Sequence, residues 1–99
     1  MQHITRAIAA AIINELPARF DAHMLEKRIL RLYPVDVAQE LLEFRQTEDT
    51  LHQFSAHFAK WVDTQFRGQI RQTRKINSEN LGGLESSNQE WEKMIGQIT

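Results

Sequence analysis

The chain has 99 residues, of which 41% are hydrophobic and 25% charged, a composition typical of a globular domain and not of a wholly disordered chain. It contains no cysteine, which excludes a disulfide scaffold and a thiolate metal site. The formal net charge is −1, so affinity for nucleic acid would have to come from a local cluster of Lys and Arg. We expect a single domain over residues 1–99.

Two amphipathic helices are predicted in the first third of the chain. Apolar residues recur at four-residue spacing over residues 4–16, which predicts a helix that Pro17 ends. Asp21 is the expected N-cap of a second helix over residues 22–33, because its carboxylate can accept hydrogen bonds from free amides of the first turn.

Two more helices are predicted before the chain becomes basic. The third covers residues 35–45 and presents an acidic face. The fourth covers residues 48–66 and has the strongest periodicity in the sequence. Gly68 follows it, as glycine often follows the end of a helix. The third helix carries four polar residues on one face, Asp36, Gln39, Glu40 and Glu43.

The remaining wing or tail, residues 69–95, has two interpretations. In the first, two strands pair as a β-hairpin with Gly82 and Gly83 at its tip. In the second, Ser87 caps a fifth helix and Glu90 completes a capping box. The position of this segment after two helices favours the hairpin, whereas the local chemistry from Ser87 onward favours the helix.

The order of these elements predicts a mainly α fold. Four helices would form a helix-turn-helix domain with the C-terminal β-hairpin as a wing, which resembles the winged-helix architecture in general and indicates no specific family. The alternative is an all-α domain with a fifth C-terminal helix.

This arrangement favours binding to double-stranded DNA in a regulatory or accessory role. The outer face of the fourth helix offers groups that can hydrogen-bond to base edges, and the segment after it is basic enough to contact phosphates. Helix-turn-helix domains often bind DNA as dimers, so a homodimer is a further expectation. The candidate DNA-binding residues are Gln53, Ser55, Lys60, Arg67, Arg71, Arg74 and Lys75.

A second hypothesis is a protein–protein interaction adaptor or a homodimeric helical module, which the near-neutral charge and the acidic third helix favour. We expect no enzyme, since no nucleophile motif or phosphate-binding loop is present and the carboxylates of the third helix look exposed. The spacing of the four histidines does not close a metal site. We expect no cofactor, small-molecule ligand or membrane partner, and a cytoplasmic location.

Overall fold

The computed structural model describes all residues from Met1 to Thr99 and contains four helices and one three-stranded antiparallel sheet. None of the helices combines the length and the apolar character needed to cross a membrane. In chain order the elements are α1 (Arg6–Glu15), β1 (Arg19–Asp21), α2 (Ala22–Leu32), α3 (Pro34–Leu42), α4 (Thr50–Gln65), β2 (Ile70–Glu79) and β3 (Glu85–Lys93).

Side-chain capping sets the start of three of the four helices. The side chains of Thr5, Asp21 and Asp49 each accept a hydrogen bond from the amide three residues later, at 3.2, 2.8 and 3.1 Å. Each bond satisfies one of the amides that a first turn leaves free. Helix α3 begins instead at Pro34, whose missing N–H costs nothing in a first turn.

Strand β3 is the centre of the sheet, with β1 on one edge and β2 on the other. Phe20 of β1 lies opposite Trp91 of β3. The pairing of β2 with β3 shifts register between Gln72 and Lys75, which is a β-bulge. Since β1 precedes α2 and pairs with the last strand, the sheet ties the first third of the chain to its C-terminal part.

Trp91 packs at the junction of the sheet and the helices. Its ring is fully buried and lies 5.6 Å from the ring of Phe20, centroid to centroid. The indole Nε1–H donates to Oδ1 of Asp63 on α4 at 3.1 Å, so the polar atom of this buried side chain has a partner. A single cluster of 18 buried hydrophobic residues, drawn from all four helices and all three strands, surrounds this junction.

The predicted mainly α class is wrong. Helices form 46% and strands 23% of the chain, and the sheet has a third strand, β1, in the segment between the first two predicted helices. The sequence signal failed here because β1 is only three residues long and is held by pairing with residues some 70 positions away. The C-terminal hairpin of the first interpretation is present as β2 and β3.

The all-α alternative is also wrong, because the residues expected in a fifth helix form strand β3. Ser87 pairs with Asn77 of β2, and Glu90 pairs with Asp21 of β1. A capping box stabilises one helix end by about 1 kcal/mol. The hydrogen bonds on both edges of β3 and the burial of Trp91 against the helices outweigh that local preference.

The segment between the third and fourth helices is longer than the sequence suggests. Helix α3 ends at Leu42, and the amides of Phe44 and Arg45 bond to carbonyls three residues earlier, which tightens the chain into turns. Helix α4 then begins at Thr50, with Asp49 as its N-cap.

Candidate functional site

A groove of about 660 Å³ lies between α4 and the β2–β3 hairpin. Ala56 and Lys60 belong to the α4 wall, and Lys75 and Leu84 belong to the hairpin wall. Helix α2 closes the bottom with polar side chains that are themselves buried. The groove therefore has exposed walls and a buried polar floor.

Glu26 is the central residue of that floor. Its side chain is only 3% exposed, and its Oε2 accepts a hydrogen bond from Ser55 Oγ at 3.1 Å. No group of the protein donates a hydrogen bond to its Oε1. Every fully buried side-chain polar atom in the structure has a partner, so Oε1 is not fully buried and is accessible from the groove. Burial raises the pKa of Glu26 to about 8, so the side chain is mainly protonated at neutral pH.

His23 lies beside Glu26 and is bound to the hairpin. Its Nδ1 is 3.1 Å from both the carbonyl oxygen and Oγ of Ser78, and its backbone amide donates to Oδ1 of Asn88 at 3.0 Å. Burial lowers the pKa of His23, which favours the neutral ring. The floor of the groove is therefore close to uncharged at neutral pH.

Helix α4 is poor in carboxylates, and the one that it contains lines the groove. Asp63 is the one acid within the helix, and its two oxygens accept from Trp91 Nε1 at 3.1 Å and from Gln72 Nε2 at 3.0 Å. The exposed residues of α4 are Leu51, His52, Gln53, Ala56, His57, Lys60 and Thr64.

Lys60 and Lys75 are the two cations of the groove, and neither forms an ion pair. Lys60 also borders a second hollow of about 420 Å³ between α4 and the N-terminal residues, so it stands on the ridge between the two hollows. The structure thus brings together, around one groove, the predicted residues Ser55, Lys60 and Lys75.

Two of the predicted arginines are held by acids of β3. Arg71 donates from two nitrogens to Oε1 of Glu92, at 2.7 and 3.1 Å, and Arg74 Nε lies 3.3 Å from Oε1 of Glu90. A hydrogen bond from Arg71 is the main cause that lowers the pKa of Glu92, and one from Thr73 is the main cause that lowers the pKa of Glu90. Arg71 and Arg74 are therefore ion-paired, and Glu92 is shared between Arg71 and Arg19.

The other two predicted residues lie outside the groove. Gln53 is exposed on α4 but does not line the groove. Arg67 follows the last residues of α4, where it is exposed and forms no ion pair.

Sequence reasoning missed the polar floor. The signal that could have found Glu26 is its spacing, because it lies four residues after Ala22 and three before Ile29, both of which are buried in the core. A carboxylate on the apolar stripe of a helix predicts a buried acid. His23 and Asn88 have no comparable signal, since their burial depends on the approach of the hairpin to α2.

Comparison of the chain with protein-family models, with curated proteins and with solved structures gives no match. Function is therefore inferred from the charge, burial and geometry of α4, the hairpin and α2.

Proposed function

We propose that the protein binds double-stranded DNA in a regulatory or accessory role, with the exposed face of α4 in the major groove and the hairpin beside it. The observation that carries this proposal is that α4 contains a single acid, Asp63, whose oxygens are engaged by Trp91 and Gln72, together with the two unpaired cations, Lys60 and Lys75, on the walls of the adjoining groove. Lysine ammonium groups contact phosphates directly, and the two acids that line the groove, Asp49 and Asp63, accept hydrogen bonds from groups of the protein.

The exposed polar residues of α4 suit contact with base edges. Gln53 can bond to adenine through both atoms of its amide, and His52, His57 and Thr64 add donors and acceptors on the same face. The major groove is about 12 Å wide and admits one α-helix. The small side chain of Ala56 would let the helix axis come close to the bases.

Arg71 can still serve as a phosphate contact. Its side chain is 54% exposed, its partner Glu92 keeps a second cation in Arg19, and exposed ion pairs are worth about 0–1 kcal/mol. A phosphate oxygen can therefore replace the carboxylate oxygen of Glu92 at small cost, whereas Glu90, the partner of Arg74, is only 10% exposed. Arg67, which has no acidic partner, needs no such exchange.

A salt titration of DNA binding tests the proposal. Fluorescence anisotropy with a labelled random-sequence duplex should show affinity that falls linearly, on logarithmic axes, between about 50 and about 200 mM salt. The double variant Lys60→Ala/Lys75→Ala should lower the magnitude of that slope by about 2, or about 1 for each phosphate contact.

Arg31→Ala is the matched control, because Arg31 is an exposed cation on α2. It lies one turn after Arg28, whose guanidinium is 3.9 Å from a carboxylate oxygen of Glu15 on α1. This variant should keep the slope of the natural sequence. Absence of binding at low salt, or an equal loss of slope in the control and the double variant, would rule out the proposed surface.

A second candidate function, contact with another protein, is favoured by an apolar surface on α2 and α3. Leu32, Val35 and Leu42 are 51%, 66% and 57% exposed, although all three are large hydrophobic residues. Val35 and Leu42 are seven positions apart and so share one face of α3. A second copy of the chain is the first partner to test, because homodimers are the commonest assemblies.

Sedimentation equilibrium measures this directly. If the surface joins two copies, the natural sequence should sediment as a dimer and the variant Val35→Lys/Leu42→Lys as a monomer. A monomer at all concentrations of the natural sequence would exclude self-association through α3.

A further inference from the structure

The groove between α4 and the hairpin has the properties of a ligand site as well as those of a DNA-facing surface. Its volume of about 660 Å³ lies within the range of about 300–1,000 Å³ found for small-molecule pockets. Its polar groups differ between floor and walls, with an acid at the floor and two unpaired lysines on the walls.

The unpaired oxygen of Glu26 points to the chemistry of one end of the ligand. Ser55 satisfies Oε2, while Oε1 has no donor within the protein, and Glu26 lines the groove. An almost fully buried carboxyl group with a free oxygen is best satisfied by a charged N–H donor, because charge-assisted hydrogen bonds are stronger than neutral ones.

The charges around Glu26 define what else the ligand must carry. The neighbours of Glu26 at the start of α2 are the N-cap Asp21 and His23, and the other charged or titratable residues that line the groove come from α4, its N-cap and β2. Asp49 and Asp63 accept hydrogen bonds from groups of the protein, whereas the ammonium groups of Lys60 and Lys75 form no ion pair. The charged or titratable lining residues of α4, its N-cap and β2 are Asp49, His52, Lys60, Asp63 and Lys75.

We propose that this groove binds a small amino acid with a cationic side chain, whose guanidinium or ammonium group contacts Oε1 of Glu26 and whose carboxylate contacts Lys60 and Lys75. Binding of the cation expels the proton of Glu26 to the solvent, so the carboxylate and the ligand cation form a neutral pair at the floor. This site shares Lys60 and Lys75 with the proposed DNA contacts, but its occupation and its test require no nucleic acid.

Calorimetric titration with L-arginine, in the absence of DNA, tests the site. At pH 7, two buffers that differ in ionisation enthalpy should reveal saturable binding with release of close to one proton for each ligand. Glu26→Gln should weaken arginine binding by about tenfold or more and abolish the proton release.

Agmatine, which has the guanidinium group of arginine but no carboxylate, separates the two ends of the site. Lys75→Met should weaken binding of arginine and leave binding of agmatine unchanged, whereas Glu26→Gln should weaken both. Arg31→Met, on the α1 side of α2, is the control and should bind both probes like the natural sequence. Because Lys75 is exposed, its variant tests the proposal even if Glu26→Gln does not fold.

The proposal is overturned if L-arginine gives no saturable heat at millimolar concentration, or if it binds without proton release and with equal affinity to Glu26→Gln. It is also overturned if Lys75→Met affects arginine and agmatine alike. None of these results bears on DNA binding, which is measured in a different experiment.

Discussion

Glu26 shows how one buried side chain makes stability depend on pH. Its folded-state pKa of about 8 is raised above the ordinary value of 4.5, chiefly by burial. Below pH 4.5 both the folded and the unfolded chain hold the proton. Between 4.5 and about 8 only the folded chain holds it, so the free energy of unfolding falls as the pH rises.

We predict a loss of stability between pH 6.5 and about 8 that depends on Glu26. His23, whose pKa burial lowers from 6.5, opposes the trend chiefly below that window. In the window, the free energy of unfolding should fall by up to about 1.4 kcal/mol for each pH unit. Urea denaturation at several pH values measures it.

In Glu26→Gln this dependence should disappear, because the amide does not ionise and can still accept the hydrogen bond from Ser55. Glu85→Gln, at the exposed start of β3, should keep the slope of the natural sequence. Parallel pH profiles for the natural sequence and Glu26→Gln would contradict this account of the buried acid.

At the residue scale, local chemistry could be predicted and long-range contacts could not. Asp21 caps α2 through an amide three residues away, and the sequence shows that pattern directly. Glu40 was expected on an exposed acidic face but is only 2% exposed, because its Oε1 accepts from the amides of Gln2 and His3. Those donors are 38 and 37 positions away, so no local pattern reveals them.

At the scale of the element, β3 holds the fold together, because it pairs on both edges and carries Trp91 into the core. Four consecutive residues of this strand, Asn88 to Trp91, are buried, so the strand lacks the alternation of exposed and buried residues that identifies a strand in a sequence. The lack of alternation, together with a helix-like capping pattern, explains why the sequence does not decide between a strand and a helix for these residues.

We predict that Trp91→Ala lowers the free energy of unfolding by about 3–5 kcal/mol, since it leaves a cavity beside Phe20 and removes the donor to Asp63. Chemical denaturation is the measurement. Leu84→Ala, at a hairpin position that is 72% exposed, should change stability by less than about 0.5 kcal/mol. Equal effects of the two substitutions would mean that β3 is not packed as described.

At the scale of the whole molecule, α4 and the hairpin form one surface that the sequence predicted in part. Lys60 and Lys75 do line the same groove, as the order of helix and basic segment suggested. Arg71 and Arg74 instead pair with Glu92 and Glu90. The strand register decides this pairing, and the register depends on the bulge in β2, which the sequence does not show.

The whole molecule also presents a contrast between two of its surfaces. The α4–hairpin surface carries the unpaired lysines, whereas the α2–α3 surface carries exposed Leu32, Val35 and Leu42. DNA should bind the first, and a protein partner should bind the second. The two proposed functions are therefore compatible in one molecule.

NMR spectra of the backbone amides, recorded as a random-sequence duplex is added at low salt, test the central claim most directly. We predict that shift changes concentrate on the exposed face of α4, at Gln53 and Lys60, and on the hairpin near Lys75, and that they reverse when salt is raised. Shift changes confined to the α2–α3 surface around Val35, or none at any DNA concentration, would contradict the claim that α4 and the hairpin bind DNA.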